Sequence, residues 1–472
     1  MYKNNLSYFP EFLSTNAING YFIVFLLCTA FFFQRSMQLL WIFFGLVEVI
    51  TFFWFTYFLS IRWRNISDVI FQRKLFNTAL VIRVIYVIFS WFFFKLMTGK
   101  PFEFDAADST GYHEEALWII DLFKAGMLDY YFSQYAQGFS DSGWPILLSV
   151  IYFFSFKSIF VSRLVNALLS AWMVVMIYRL SQRNFGNYSA RITAIMAMLF
   201  PIFIYYSGMH LKETAMVFFL LAFIERADYI IRSRTFTLWN IITIVVLGFS
   251  LFFFRTVLAA AAWFSVLSAL LFSSTRLINR ARRLVHIVWF IIAIMFVFSG
   301  TILTEVEGYF YERTYNQQLQ MEKISLSEGG NKLAQYGRTS IFAPIMIFAP
   351  LPTLVNTNQP NANMINGNLY VRNVIAFFVL IALWVLFQRR SLSRHVLILV
   401  ILFSYLAILS ASGFALSERF HMPALPFLIM LAGYGITNMN RRFVNLYIPY
   451  LIVISVVIIA WNWFKLAGRG MI

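Results

Sequence analysis

The sequence has little charge, few acids and almost no cysteine. Only 12% of its 472 residues are charged, about half the share of an ordinary soluble domain. Asp and Glu number 20 against 37 Lys and Arg, which leaves a net charge of +17. The single cysteine, Cys28, excludes an internal disulfide and a thiolate metal centre. Proline is sparse at 11 residues, so long apolar runs go uninterrupted. Those runs fill the chain: 61% of residues are hydrophobic and 20% aromatic, led by 56 Phe. A water-facing domain of this makeup would lack the polar surface to cover its core, and lipid is the solvent that suits it. The positive excess does not point to nucleic acid. The basic residues stand in short clusters between apolar runs, the distribution that the positive-inside bias produces.

The first run, Tyr21–Phe33, has a weak basic region ahead of it (Lys3). Phe31-Phe32-Phe33 stand where a signal peptide needs small residues, so a retained span is expected there. A spanning helix needs about 20 mostly apolar residues. That rule places spans near 17–34, 39–61, 75–97, 158–179, 188–208, 213–231, 236–254, 256–274, 284–304, 371–388, 395–413, 423–439 and 444–463. The expected fold is therefore all-α, a polytopic membrane protein of about 13 transmembrane helices. The connectors with Arg62, Arg64, Arg73 and Lys74, with Arg179, Arg183 and Arg191, and with Arg232 and Arg234 then share one side. So do Arg276, Arg280, Arg282 and Arg283, then Arg389, Arg390 and Arg394, and finally Arg441 and Arg442. That side is predicted to be cytoplasmic. The acidic loop 98–143, with eight acids from Glu103 to Asp141 against Lys100 and Lys124, falls outside. Trp144–Phe156 and Ile341–Pro352 are too short to cross and are expected to lie in the outer interface.

Two outer segments, 98–157 and 305–370, are long enough to carry chemistry. The first opens on Glu103-Phe104-Asp105-Ala106-Ala107-Asp108-Ser109-Thr110-Gly111-Tyr112-His113-Glu114-Glu115. Ala116, Ile119, Ile120, Phe123 and Met127 follow at helical spacing, which predicts an amphipathic interfacial helix over 112–127, apolar face down. Such a helix would hold Asp108 or Asp105 at the lipid–water boundary, although a solvated acidic loop accounts for the same acids. A second cluster, Ser207-Gly208-Met209-His210-Leu211-Lys212-Glu213, returns an imidazole, a cation and an acid to that face. A capped turn would also explain it. The third is Ser417-Glu418-Arg419-Phe420-His421-Met422-Pro423, in which Arg419 has the planar fork for a phosphate. Arg255, Arg338 and Arg372 are further cations on that side. Within the bilayer, Glu48 and Arg83 fall at similar depths on adjacent helices, and a structural ion pair is the expected account.

Taken in order, these segments resemble the GT-C superfamily of integral membrane glycosyltransferases, among them protein O-mannosyltransferases and lipid A aminoarabinose transferases. Asp108-Ser109-Thr110-Gly111-Tyr112-His113 is similar to an Asp-x-x-x-Tyr form found in bacterial members. Ser162-Arg163-Leu164-Val165-Asn166, Tyr178-Arg179-Leu180 with Phe185-Gly186, Pro201 with Ser207…Lys212-Glu213, and Glu418-Arg419-Phe420-His421-Met422-Pro423…Pro426 follow in family order over about residues 98–440. The spans ahead of the first loop outnumber the one that many members have. Lys212-Glu213 stands in place of an Asp-x-Asp, which leaves a divalent metal an open question.

The resemblance implies sugar transfer from a polyprenyl-phosphate-linked donor to an acceptor glycan, lipid or protein, at the extracytoplasmic face of a bacterial inner membrane. In that scheme Asp108 is the base, with Asp105 as its runner-up, and Glu213 orients the acceptor. Tyr112, His113, His210, Lys212, Arg163, Arg255, Arg338, Arg419 and His421 line the substrate site. The implied organisation is N-terminal helices over 1–74, a catalytic membrane module over 75–304 with its loop at 98–157, a second outer loop over 305–370, and C-terminal helices over 371–472. A repeat-unit polymerase joining two lipid-linked glycans is the alternative. A lipid-linked-sugar flippase would instead line a path through the bilayer with its charges.

Overall fold

A computed structural model describes residues 6–135, 140–233, 237–272, 348–357, 359–412 and 418–468. Among these residues the chain is helical and contains no strand. Six helices are long and apolar enough to cross a membrane: α1 (Glu11–Phe31), α2 (Leu39–Arg62), α3 (Asp68–Thr98), α6 (Ile159–Phe185), α12 (Asn366–Gln388) and α15 (Arg441–Gly468). A seventh apolar unit is broken into α7 (Asn187–Leu199) and α8 (Pro201–Ser207), bent by 48°. α9 (Glu213–Ser233), α10 (Leu238–Phe254), α11 (Thr256–Phe272), α13 (Val396–Ser412) and α14 (Leu425–Thr437) are further helices of the bundle among the described residues. Every expected span within the described residues is helical, whereas 284–304 lies outside them. Leu26, Phe43, Ile85 and Val453 turn outward, as side chains solvated by acyl tails do. The chain is an all-α integral membrane protein.

Among the described residues the basic connectors gather at one end of the bundle, held there by the arginines themselves. Arg191 donates to the carbonyls of Trp63 (2.9 Å), Arg64 (2.8 Å) and Ile66 (2.6 Å) and pairs with Asp68 at 2.6 Å. One guanidinium thus satisfies three carbonyls of the turn that follows α2 and ties that turn to the start of α7. Arg183 pairs with Asp228 (2.7 Å) and Glu225 (2.8 Å), and Arg232 with Asp228 (2.9 Å). Leu6 N–H reaches the Thr437 carbonyl at 3.3 Å. At the opposite end lie the acidic loop, the turn 208–212 and the segment 418–424.

Glu48 and Arg83 do not pair, and the reason is that each serves a helix end. Glu48 Oε2 accepts from the backbone N–H of Asn368 at 2.9 Å, one of the unsatisfied donors in the first turn of α12. Pro201 has no N–H to donate, so the break between α7 and α8 frees carbonyls. Arg83 donates to one of them, Met198, at 3.2 Å, while its Nε donates to Ser170 Oγ at 2.6 Å.

The outer segment 98–157 carries two longer helices, α4 (Ala107–Lys124) and α5 (Gly143–Ser155), packed on one another. The interfacial helix expected over 112–127 starts earlier and is only partly lipid-facing. Ala116, Ile119 and Ile120 are buried in the protein, whereas Phe123 and Met127 are about half exposed. Of the other segment expected in the interface, Ile341–Pro352, only residues 348–352 are described.

Candidate functional site

α4 begins after a turn in which Asp105 holds a left-handed backbone (φ 52°), a conformation Asp tolerates better than most residues. Its carbonyl accepts from Ala107 N–H at 2.9 Å. The turn points Asp108 and Tyr112, one helical turn apart, toward the segment 418–421. There Asp108 forms an ion pair with Arg419, a residue 311 positions away. Both side chains keep partial exposure, 44% and 35%, so the pair faces an opening rather than the core. Arg419 lies over the Phe420 ring with 5.0 Å between the guanidinium carbon and the ring centroid, and Arg255 over the same ring at 4.2 Å. Phe420 is thus a shared platform that fixes two cations side by side.

Lys212 and Glu213 come to the same place from the turn between α8 and α9. Both are buried, and Glu213 Oε2 has no hydrogen-bond partner. Lys212 pairs with Asp141, whose backbone is also left-handed (φ 71°). Burial and the neighbouring Arg255 push the Lys212 ammonium down to about 7, with Glu213 opposing. Arg419 goes the other way: burial lowers it, but Glu213 and Asp108 outweigh that and hold it above the usual guanidinium range. Burial raises the Tyr112 phenol, helped by Glu213 and Asp108. Asp108, Tyr112, Lys212, Glu213, Arg255 and Arg419 therefore form one electrostatic cluster drawn from four separate stretches of chain.

His113 and His210 lie in a hydrogen-bonded row beside that cluster. Ser162 Oγ donates to the Ile159 carbonyl (2.7 Å), so it must accept from His210 Nδ1 (3.1 Å). His210 Nε2 then accepts from Tyr152 OH (3.1 Å), and Tyr152 accepts from His113 Nδ1 (2.8 Å). Burial depresses both imidazoles, with Arg163 adding to the effect at His210, which suits the neutral form that the row requires of His210. The row bolts α4 to α5, α6 and the Lys212 turn, and so fixes Asp108 relative to Glu213. Arg163, buried, donates to the Pro101 carbonyl and steadies the entry to α4. Ser109 donates to the buried Glu103.

Not every expected residue enters the cluster. Asp105 is exposed, and its carboxylate has no partner among the described residues. His421 is buried in the same short turn as Arg419. Arg338 lies outside the described residues. Among the described residues no three His, Cys, Asp or Glu side chains gather as metal ligands. Asp108 and Asp141 are each paired with a cation instead, Arg419 and Lys212, so this donor set does not fit a divalent ion. Asp141 and Tyr152 went unrecognised in the sequence. The left-handed backbone of Asp141 leaves no mark on composition, and Tyr152 reads as one aromatic of an apolar stretch.

The charge on Lys212 gives a testable pH dependence. Above about 7 its ammonium loses a proton, so the cluster carries one positive charge fewer. Affinity for a phosphate-bearing ligand is expected to fall as pH rises through that value. Lys212→Met should give weak binding that no longer changes there, read by titration of the purified protein; an unchanged pH profile would remove Lys212 from the binding group.

Compared with known proteins, the chain matches no family model and no curated sequence.

Proposed function

We propose that the protein is a glycosyltransferase of the GT-C type, with about thirteen spans, that moves a sugar from a polyprenyl-phosphate carrier to an acceptor glycan, lipid or protein. The reading puts it in a bacterial inner membrane with the cluster on the extracytoplasmic side, opposite the basic connectors. The observation that supports it is the meeting of Asp108 with Arg419, beside Arg255, Lys212 and an unpartnered Glu213 carboxylate oxygen.

Transfer needs two things at once. The acceptor hydroxyl must lose its proton as its oxygen bonds to the anomeric carbon, and Asp108 is the base that takes it. The bond from that carbon to the phosphate oxygen breaks with its electron pair on the phosphate, and fixed cations stabilise the growing charge. Arg419 and Arg255 on the Phe420 platform, with Lys212 beneath, are suited to that task. A single displacement of this kind inverts the anomeric centre. Without donor, Arg419 is occupied by Asp108; an arriving phosphate competes for the guanidinium and releases the carboxylate to act as base. Glu213 would orient the acceptor.

The test is sugar transfer by the full chain in proteoliposomes supplied with a polyprenyl-phosphate sugar. Arg419→Ala removes a charged hydrogen bond, and donor affinity is expected to drop roughly tenfold or more. Unchanged donor affinity would strip Arg419 of this role. Transfer seen only with diphosphate-linked repeat units would turn the reading to a polymerase.

A further inference from the structure

The opposite end of the bundle carries a second charged concavity, which the proposed chemistry does not use. It has a volume of about 280 Å³ and lies between the C-terminal end of α6, the connector from α12 to α13, and α14. Its aromatic wall is continuous: His395 stacks on Phe185 (4.7 Å between centroids, 21°), and Phe185 meets Tyr434 at 5.0 Å. Around it stand Arg389, Arg390 and Arg394. Arg389 is aimed by a 3.0 Å hydrogen bond to Tyr434 OH. Among the described residues no acid lines the cavity, and the guanidiniums of Arg390 and Arg394 have no partner. The nearby acid, Asp228, is already shared between Arg183 and Arg232.

A second, independent observation concerns the backbone. α12 ends with Ser391 N–H bonded to the Leu386 carbonyl (3.0 Å) and Arg390 N–H to the Phe387 carbonyl (3.0 Å). That pattern is a Schellman cap, and its left-handed position normally holds glycine. Here Arg390 occupies it, at φ 50°. A side chain with a Cβ is strained there, so the residue is not chosen to end the helix. Nor does the positive-inside bias explain it. The neighbouring Gln388 is exposed, has an ordinary helical backbone and would carry a charge with no strain.

We propose that this cavity binds a phosphate-bearing headgroup, clamped by Arg389, Arg390 and Arg394 against the aromatic wall. Guanidinium forks match phosphate oxygens, and a headgroup lies at the level of helix ends in a bilayer. This site is independent of the transfer reading.

The experiment compares thermal unfolding of the full chain in vesicles of phosphatidylcholine alone, with added phosphatidylglycerol, and with inorganic phosphate in place of phosphatidylglycerol. Phosphatidylglycerol is expected to raise the midpoint of the native protein. Arg390→Gly should melt no lower than the native protein in phosphatidylcholine, because its backbone strain is relieved. It should nevertheless lose most of the phosphatidylglycerol increment, as should Arg394→Gln. Lipid retention by the purified protein is expected to fall about fivefold for each arginine removed. An Arg390-dependent increment from inorganic phosphate alone would keep the phosphate site and assign it to a soluble ligand. No increment in the native protein, or an equal one in both variants, would overturn the proposal.

Discussion

Asp108→Asn is expected to lower sugar transfer by roughly a factor of 10²–10⁴, the range general-base catalysis supplies, with little change in melting temperature. Asparagine keeps an oxygen for Arg419 but cannot take the acceptor proton. The Asp108–Arg419 pair is partly exposed, and ion pairs of that kind add little to stability. The fold should therefore survive and the chemistry should not. Measured side by side, turnover and melting separate a base from a structural acid. Near-normal turnover would dismiss Asp108 as base and turn attention to Asp105, the exposed acid at the head of the same helix. Donor affinity should hold or rise in Asp108→Asn, because the phosphate no longer competes with a carboxylate for Arg419.

Gly435→Ala should cost more stability than any other single methyl added to the bundle core, about 3 kcal/mol or more, the upper end of overpacking penalties. α14 is squeezed between two helices. A Cβ at Gly435 would strike the backbone carbonyl of Phe378 in α12, and one at Gly433 would strike Thr193 of α7. A backbone oxygen inside a helix cannot move aside as a flexible side chain can. Close approach through small residues is also how membrane helices gain packing energy without a hydrophobic drive between them. α14 follows directly on the segment that holds Arg419, so pushing it off α12 should disturb the site as well as the fold. The control is Gly111→Ala in α4, where nothing lies within 4 Å of the added methyl. That change should be neutral, or stabilising by about 1 kcal/mol from helix propensity alone. Equal melting of the two variants would contradict this account of α14.

The helices were legible in the sequence because lipid imposes a length and a composition on anything that crosses it. Even α14, only 13 residues long, was recognisable from its apolar run. The partners of Glu48 and Arg83 were not legible. Both bond to backbone groups at helix ends, and a carbonyl 115 positions along the chain, freed by a proline, has no signature in the residues that lie between. Two opposite charges at equal depth suggested each other only because side chains are all that a sequence displays. At the site, residue types and sidedness singled out Asp108, Lys212, Glu213, Arg255 and Arg419, which the structure brings together. That Arg419 meets Asp108 was not legible, since that depends on how α4 is rotated, and the row from His113 to Ser162 sets the rotation. Asp141 was hidden among eight acids of one loop, and only its fold-back onto Lys212 distinguishes it.

The bond from Glu48 to the N–H of Asn368 belongs to a wider seam between the two ends of the chain. Tyr21 donates to Asn366 at 2.7 Å, Tyr370 to the Ala17 carbonyl at 2.8 Å, and Tyr447 to the Leu13 carbonyl at 3.0 Å. During synthesis α1 and α2 leave the ribosome more than 300 residues ahead of these partners. Until then a carboxylate and a phenol wait in hydrocarbon with their polar atoms unanswered, which is costly. α1 and α2 are thus docking points held in reserve, completed only once α12 and α15 have been made.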